Sequence, residues 1–179
     1  MGENKSNVYK TVLISEEQKS KWISAGGDPN KSVIIPVPVE VPNYGLESYI
    51  KEFGWEDKFV FGMHQRDDIH IFSPVPLEAY DEIQSEDTAF LILGGSANHR
   101  KQAKDYQLRN VKFLDTTSDI SLIHKFLNTL NVYAHGRSDG EQCSSAIIEG
   151  LSHSLPMISH TAVSTVSYTH LRAHETVVY

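Results

Sequence analysis

The sequence predicts an α/β fold, a Rossmann-like parallel sheet with helices on both faces. Between residues 46 and 160, short apolar runs of strand length alternate with segments of helical period. Two of these runs, at 58–62 and 88–93, end at or just before a glycine. Short buried strands that alternate with helices indicate a parallel sheet covered on both faces.

The first 45 residues form a separate region with at least one predicted helix and one predicted strand. Ser15 can cap the helix, since two glutamates follow it in the positively polarised first turn. Gly26-Gly27 can end it. The strand at 32–35 runs into prolines at residues 36, 38 and 42, which exclude a central position in a sheet. We interpret residues 1–45 as the remnant of an N-terminal domain and an interdomain linker.

Residues 46–164 form the predicted main domain. The segment at 119–128 has a clear helical period, because its large apolar residues fall on one face. The predicted strands lie at 58–62, 88–93, 111–114, 131–135 and 156–159, and the predicted helices at 77–83, 97–107, 119–128 and 144–152.

Composition and charge favour a soluble protein whose main partner is not a nucleic acid. Of the 179 residues, 40% are hydrophobic and 22% are charged, as in ordinary globular proteins. The net charge of −7 opposes binding to polyanions, although a local basic pocket for a phosphate is compatible with it. Cys143 is the single cysteine, so no intramolecular disulfide can form. The sequence has no apolar run of signal-peptide or membrane-span length, and we expect a cytoplasmic protein.

The tail at 165–179 has no clear period and begins abruptly where a helix is due. Its segment VSYTHLRAHET closely resembles the translation of a sequencing adapter of the transposase type. We expect the tail to be non-native and the natural sequence to stop near Ser164. A genuine C-terminal segment is the alternative.

Ligands of open parallel sheets bind outside the carboxyl ends of the strands, and three predicted loops meet at that edge. The first loop contains Gly62, His64 and Arg66, the second begins at Gly94-Gly95, and the third spans residues 136–141. Together they offer glycines for close backbone approach, arginines for phosphate and an acid for a sugar hydroxyl.

The helix predicted at 144–152 supplies the sharpest candidate site. Its first amides, at Ser144 and Ser145, lie where the helix dipole favours an anion by about 0.3–1 kcal/mol. Glu141 lies in the loop before the helix, and Glu149 lies within it, away from the centre of its apolar face. A diphosphate at the helix N-terminus would place a sugar near Glu141 and a ribose near Glu149.

This region, E-x7-E followed by GLSHSLPMI at 150–158, resembles the retaining GT-B glycosyltransferases of family four, the glycosyl transferases group 1. Two other segments follow in the order of that family. NVKFL at 110–114 is similar to its strand after a basic helix, and residues 15–42 are similar to the end of its N-terminal domain and the linker. The resemblance covers roughly residues 10–160 and is most specific at 139–158.

The resemblance implies an enzyme, a hexosyltransferase-type glycosyltransferase, of which this chain is the C-terminal, donor-binding half. The reaction would move a sugar from a nucleotide-diphosphate sugar to an acceptor with retention of configuration. Glu141 would contact the donor sugar and stabilise positive charge as the glycosidic bond breaks. Glu149 would bind the ribose, and Ser144 and Ser145 would face the diphosphate or the sugar.

The resemblance also implies phosphate contacts from the first two loops. Gly62, His64 and Arg66 would approach the phosphates, although Gly62-Met63 stands where the family has a Gly-Arg pair. Arg100 and Lys101 stand near the place of a family lysine and complete the predicted donor-binding set, with a solvated helix face as the alternative. We expect no cofactor and no metal, since the histidines and aspartates at 64–70 match no zinc spacing.

The expected partners are the nucleotide-sugar donor and an acceptor sugar or lipid-linked glycan. An N-terminal domain, which this chain mostly lacks, would bind the acceptor, so we expect the isolated fragment to be inactive. Polysaccharide biosynthesis is the family-level expectation, and peripheral membrane association of the parent enzyme is left open. Two alternatives also stay open: another GT-B enzyme, such as a nucleotide-sugar epimerase or a phosphorylase, or a non-catalytic nucleotide-binding module.

Overall fold

A computed structural model of the protein describes residues 9–36, 38, 45–137 and 144–159, and the tail expected to be non-native lies outside these ranges. The N-terminal part is a small β-α-β unit. Strands β1 (Thr11–Leu13) and β2 (Ser32–Ile34) pair in parallel, with helix α1 (Glu16–Ser24) and a 3-10 turn (Pro29–Lys31) between them. As predicted, the Ser15 hydroxyl caps α1 by accepting a hydrogen bond from the Gln18 amide at 3.1 Å.

The larger unit is a five-stranded parallel sheet. Its strands are β3 (Phe59–Gln65), β4 (Thr88–Gly94), β5 (Val111–Leu114), β6 (Val132–His135) and β7 (Met157–Ser159). Their order is β5-β4-β3-β6-β7, so the chain builds outward from β3 to β5 and then crosses back to add β6 and β7 on the other side. This is the order of a doubly wound, Rossmann-like sheet.

Helices connect these strands. Helix α2 (Ile50–Phe53) precedes β3, and a 3-10 turn (Ile69–Ile71) follows it. The four connecting helices are α3 (Val75–Ile83), α4 (Ala97–Asp105), α5 (Ile120–Leu127) and α6 (Ser145–Ser152). Within the described ranges, no helix is long and apolar enough to cross a membrane.

The helices cover both faces of the sheet, as the apolar strands predict. Successive residues of β4 point to opposite faces. Phe90 packs with Leu77 of α3 on one face, and the next residue, Leu91, packs with Phe126 of α5 on the other. All four side chains are almost completely buried, and each large apolar side chain so buried contributes about 1.5–3 kcal/mol.

The structure corrects the predicted elements at three places. Strand β3 does not end at Gly62 but continues through Gln65, because Met63 and His64 stay in register with Ile92 and Leu93 of β4. The second correction is β1, which is too short to show a period in the sequence. The third is α2, a single turn of four residues, which was missed for the same reason.

Two histidines join α5 to the end of α6. His124 Nδ1 lies 2.6 Å from His153 Nε2, and His153 Nδ1 lies 2.9 Å from Asn128 Oδ1. The Asn128 amide donates in turn to the carbonyl oxygens of Gly45 and Glu47. Burial, and after it repulsion from His124, lowers the pKa of His153 below its usual value. The network joins the beginning of the larger unit to α5 and to the end of α6.

Gly62 lies in the centre of β3, where the strand pairs with β4 on one side and β6 on the other. A Cβ atom at this position would lie 2.5 Å from Leu130 Cδ2 and 2.6 Å from the Leu91 carbonyl oxygen. The second of these atoms belongs to the backbone and cannot move aside, so the sheet requires glycine here.

We predict that Gly62→Ala lowers the free energy of unfolding by about 1–3 kcal/mol, because it overpacks the sheet. Gly45→Ala is the matched control, since a Cβ atom at Gly45 has no neighbour within 4 Å, and it should change stability by less than about 0.5 kcal/mol. Urea denaturation of both variants measures the difference. Equal midpoints for the two variants would contradict the packing argument.

Candidate functional site

The carboxyl ends of β3 and β6 border a cleft. These strands are neighbours, but the chain continues from β3 toward β4 and from β6 toward β7, in opposite directions. The following helices, α3 and α6, pack on opposite faces and leave space between the two strand ends. The cleft has a volume of about 340 Å³ and is lined from β3, β6 and α6. This volume lies within the range of small-molecule sites.

Two polar side chains meet in this cleft from distant parts of the chain. His64 lies near the end of β3, and Glu149 lies one turn into α6. The His64 Nε2 and Glu149 Oε2 atoms are 2.7 Å apart. The Glu149 side chain is 32% exposed and the His64 side chain 14%, so the carboxylate remains open to a ligand while the imidazole lies mostly behind it.

Aromatic rings surround the His64 imidazole. The Phe126 and Tyr133 rings meet it edge to face, with centroids at 5.7 and 5.4 Å. The Tyr133 hydroxyl also lies 3.3 Å from both the His64 backbone nitrogen and its carbonyl oxygen. These contacts fix the orientation of the imidazole before any ligand binds.

Two arginines line the same cleft. Arg66 directly follows β3, and Arg137 follows β6 by two residues. Arg66 is largely exposed, and its Nε atom lies 3.5 Å from Asp68 Oδ2. An exposed ion pair contributes only about 0–1 kcal/mol, so Arg66 can exchange Asp68 for an anionic ligand at little cost.

Helix α6 begins at the cleft. Its N-cap residue Ser144 is buried, and Ser145 is the first helical residue; both line the cleft. The amides of a helix N-terminus favour an anion. Glu141, predicted to contact the donor sugar, lies outside the described residues, so its role stays a prediction.

The structure does not bring Arg100 and Lys101 into the cleft. Both lie on α4, where the Arg100 guanidinium covers the Phe113 ring at 4.6 Å and lies 3.9 Å from Asp115 Oδ1. Lys101 pairs with Asp105 one turn later and is mostly exposed. Both side chains contact neighbouring side chains of the protein, and their part in donor binding stays a prediction.

The predicted loop glycines serve the backbone of the protein itself. Gly62 lies within β3 rather than in the loop after it, and it makes room for Leu130. Gly94 and Gly95 have φ angles of +80° and +76°, which glycine adopts without strain. A Cβ atom at Gly94 would lie 2.2 Å from the Gln65 carbonyl oxygen, which accepts a hydrogen bond from the Gly95 amide at 2.7 Å. These two glycines hold the second loop against the end of β3.

Sequence reasoning missed Tyr133 as part of the site. Within an apolar strand, a tyrosine is typical of a core residue, and the Tyr133 ring is indeed buried. Only the pairing of Gly62 with Tyr133 in neighbouring strands places the phenol beside His64. The signal that could have found it is the position of Tyr133 close to the carboxyl end of a predicted strand.

Solved structures of glycosyltransferases are similar to this protein, whereas no family model and no curated protein matches the sequence. Anabaena HepE, in complex with UDP and glucose, aligns with a TM-score of 0.72 and 16% identity over 89% of this chain and 46% of its own. WaaG, a glycosyltransferase involved in lipopolysaccharide biosynthesis, aligns with a TM-score of 0.68 and 12% identity over 93% and 50%. A variant of S. aureus TarM, in complex with UDP and two further ligands, aligns with a TM-score of 0.63 and 15% identity over 89% and 31%.

At these identities the similarity establishes the fold. The predicted class, a Rossmann-like α/β sheet as in the C-terminal half of a GT-B fold, is confirmed. The protein spans about half of the length of the HepE and WaaG chains that it matches.

A buried histidine supports the loop that carries Arg66. His99 lies in the first turn of α4, completely buried, and its Nδ1 atom accepts a hydrogen bond from the Ser96 amide at 3.1 Å. The Phe72 ring, at the other end of the loop, contacts the imidazole edge to face at 4.6 Å. Burial lowers the pKa of His99 to about 4, against the smaller opposing influence of the Ser73 backbone and the Asp67 charge.

We predict that, because of His99, the free energy of unfolding decreases as the pH is lowered from about 6.5 to about 4. The folded pKa is lower than the unfolded one, so in this window the unfolded chain binds the additional proton and is favoured as the pH falls. The folded and unfolded pKa values differ by about 2.5, so at about 1.4 kcal/mol per pKa unit the effect is at most about 3.5 kcal/mol. Urea denaturation at pH 7, 5.5 and 4.5 gives the free energy of unfolding at each pH. This free energy should change less with pH in His99→Gln than in the wild type. An equal change in both proteins would contradict the assignment.

Proposed function

We propose that this protein is the donor-binding half of a glycosyltransferase and that a nucleotide-diphosphate sugar binds in the cleft between β3 and β6. The observation that carries the proposal is the position of Glu149. Its half-buried carboxylate lies one turn from the N-terminus of α6, in a cleft that also contains Arg66 and Arg137. A carboxylate can accept hydrogen bonds from the ribose hydroxyls of a nucleoside diphosphate, and the two arginines can bind its phosphates.

In this proposal, Glu149 accepts hydrogen bonds from the ribose hydroxyls. A carboxylate only accepts hydrogen bonds, and each hydrogen bond to a charged group contributes about 1.5–3 kcal/mol. We infer that the nucleotide is a ribonucleotide, because a ligand without ribose hydroxyls would offer no hydrogen-bond donor to the open side of the carboxylate.

The diphosphate lies at the beginning of α6. The dipole of the helix contributes about 0.3–1 kcal/mol at an exposed terminus, and Ser144 and Ser145 lie at this position. Arg66 and Arg137 supply the positive charge from the ends of β3 and β6. HepE and the TarM variant were both solved in complex with UDP, so UDP is the first nucleotide to test.

The chemical step rests on the resemblance of the sequence to the retaining enzymes of family four. Transfer breaks the bond between the sugar and the diphosphate, and positive charge develops on the sugar ring as it breaks. We assign Glu141 to stabilise that charge, and we assign retention of configuration and a hexosyl donor on the same grounds. On the same grounds, we assign the binding of an acceptor sugar or lipid-linked glycan to a second domain.

We predict that this protein binds UDP-glucose and that Glu149→Gln weakens binding about tenfold to a hundredfold, because a charged acceptor of ribose hydroxyls is lost. Isothermal titration calorimetry measures both affinities. Glu82→Gln, a change at an exposed acid of α3, is the control and should bind as the wild type does. Loss of affinity in neither variant would sink the role given to Glu149.

We also predict that residues 1–179 alone turn over no donor in the presence of oligosaccharide acceptors, because we propose that the acceptor binds to a second domain. Release of UDP from UDP-glucose, followed by a coupled assay, provides the measurement. Turnover would show that the cleft is sufficient for catalysis. A protein that includes both domains and keeps its activity after Glu141→Ala would favour the non-catalytic nucleotide-binding module instead.

A further inference from the structure

The hydrogen bond between His64 and Glu149 joins the central strand of the sheet to helix α6. His64 belongs to β3 and Glu149 to α6, and the Nε2–Oε2 distance is 2.7 Å. The family resemblance implies that His64 approaches the phosphates. In the structure its imidazole instead lies behind the carboxylate predicted to bind the ribose, with only 14% of the side chain exposed.

The direction of this hydrogen bond follows from the chemistry of its partners. An ionised carboxylate has no hydrogen to give, so Nε2 of His64 is the donor in either protonation state of the ring. The other ring nitrogen, Nδ1, is buried and has no hydrogen-bond partner in the described part of the chain. The polar contact of the imidazole with the site therefore runs through Nε2 alone.

The surroundings of His64 make it a rigid donor. The Phe126 and Tyr133 rings hold the imidazole at its edges, and Tyr133 contacts the His64 backbone as well. Glu149, by contrast, is on the open side of the pair, and a glutamate side chain loses much rotamer freedom when it is fixed. A rigid donor on one carboxylate oxygen selects one orientation and leaves Oε1, which has no hydrogen bond in the described residues, toward the cleft.

We propose that His64 is a positioning residue: it holds the Glu149 carboxylate in the orientation that accepts the ribose hydroxyls of the nucleotide, and it does not contact the phosphates. This inference rests on the proposed donor site. It divides the recognition of the nucleotide between the two sides of the cleft. The ribose hydroxyls bind to the His64–Glu149 pair, and the phosphates bind to the arginines and the start of α6.

The test compares one variant of His64 that keeps an aromatic ring without a hydrogen-bond donor with another that keeps a donor without the ring. His64→Phe retains a planar ring for the packing against Phe126 and Tyr133 but has no hydrogen to donate. His64→Gln places an amide nitrogen close to the position of Nε2 and restores the donor. Thermal unfolding of both variants checks that each is folded.

Two ligands separate orientation of the carboxylate from general damage to the site. The first is whichever of UDP, GDP and ADP binds the wild type most tightly, and the second is its 2′,3′-dideoxy counterpart, which lacks both ribose hydroxyls. We expect His64→Phe to weaken binding of the first about tenfold, the cost of fixing a flexible side chain, and to leave binding of the second unchanged. His64→Gln should recover most of the lost affinity.

A double-mutant cycle completes the experiment. Because His64 acts through Glu149, the variant with both His64→Phe and Glu149→Gln should bind the ribonucleotide no more weakly than Glu149→Gln alone. An equal loss for the ribo and dideoxy ligands, additive losses in the cycle, or a failure of His64→Gln to recover binding would each overturn the positioning role alone. If the wild type binds none of the three nucleotides, the proposed function fails and this inference fails with it.

Discussion

The packing of β3 between β4 and β6 is the constraint on which the rest of the structure depends. At Gly62 the strand has a neighbour on each side, and Leu130 packs directly over the missing side chain. Because β3 is central, the chain adds β4 and β5 on one side of it and then β6 and β7 on the other side. The divergence of α3 and α6 follows from that topology, and the cleft lies where they diverge.

Strand β3 also positions a side chain of the candidate site. Two residues after Gly62, the backbone is still fixed by β4, so the imidazole of His64 projects from a rigid element rather than from a loop. Phe126 belongs at once to the core between sheet and helix and to the wall around this imidazole. The orientation of the Glu149 carboxylate is therefore linked to core packing, whereas Arg66 lies beyond the strand on an exposed loop and can adapt to its ligand.

The two histidine sites outside the cleft have structural explanations of the same kind. His99 gives a buried turn of α4 a hydrogen-bond acceptor for the Ser96 amide, and burial keeps the ring neutral near neutral pH. His153 continues α6 into a chain of hydrogen bonds through Asn128 to the beginning of the domain. The protein shares its fold with HepE and WaaG at 12–16% identity, which fits a sheet whose strands must be apolar but tolerate many exchanges of one apolar side chain for another.

The sequence alone determined the fold class and most of the elements, because strand-length apolar runs and helical periods are local properties of the chain. It also determined that Glu149 and the start of α6 form a candidate site, since their spacing lies within one helix. Tertiary structure decided the rest. Three findings depend on which strands become neighbours. Strand β3 extends beyond Gly62, Arg100 and Lys101 do not line the cleft, and His64 contacts Glu149 and Tyr133. His64 and Glu149 are 85 positions apart, and a contact at that separation produces no periodic pattern in the sequence. Only the packing of the sheet therefore determines that the two side chains meet.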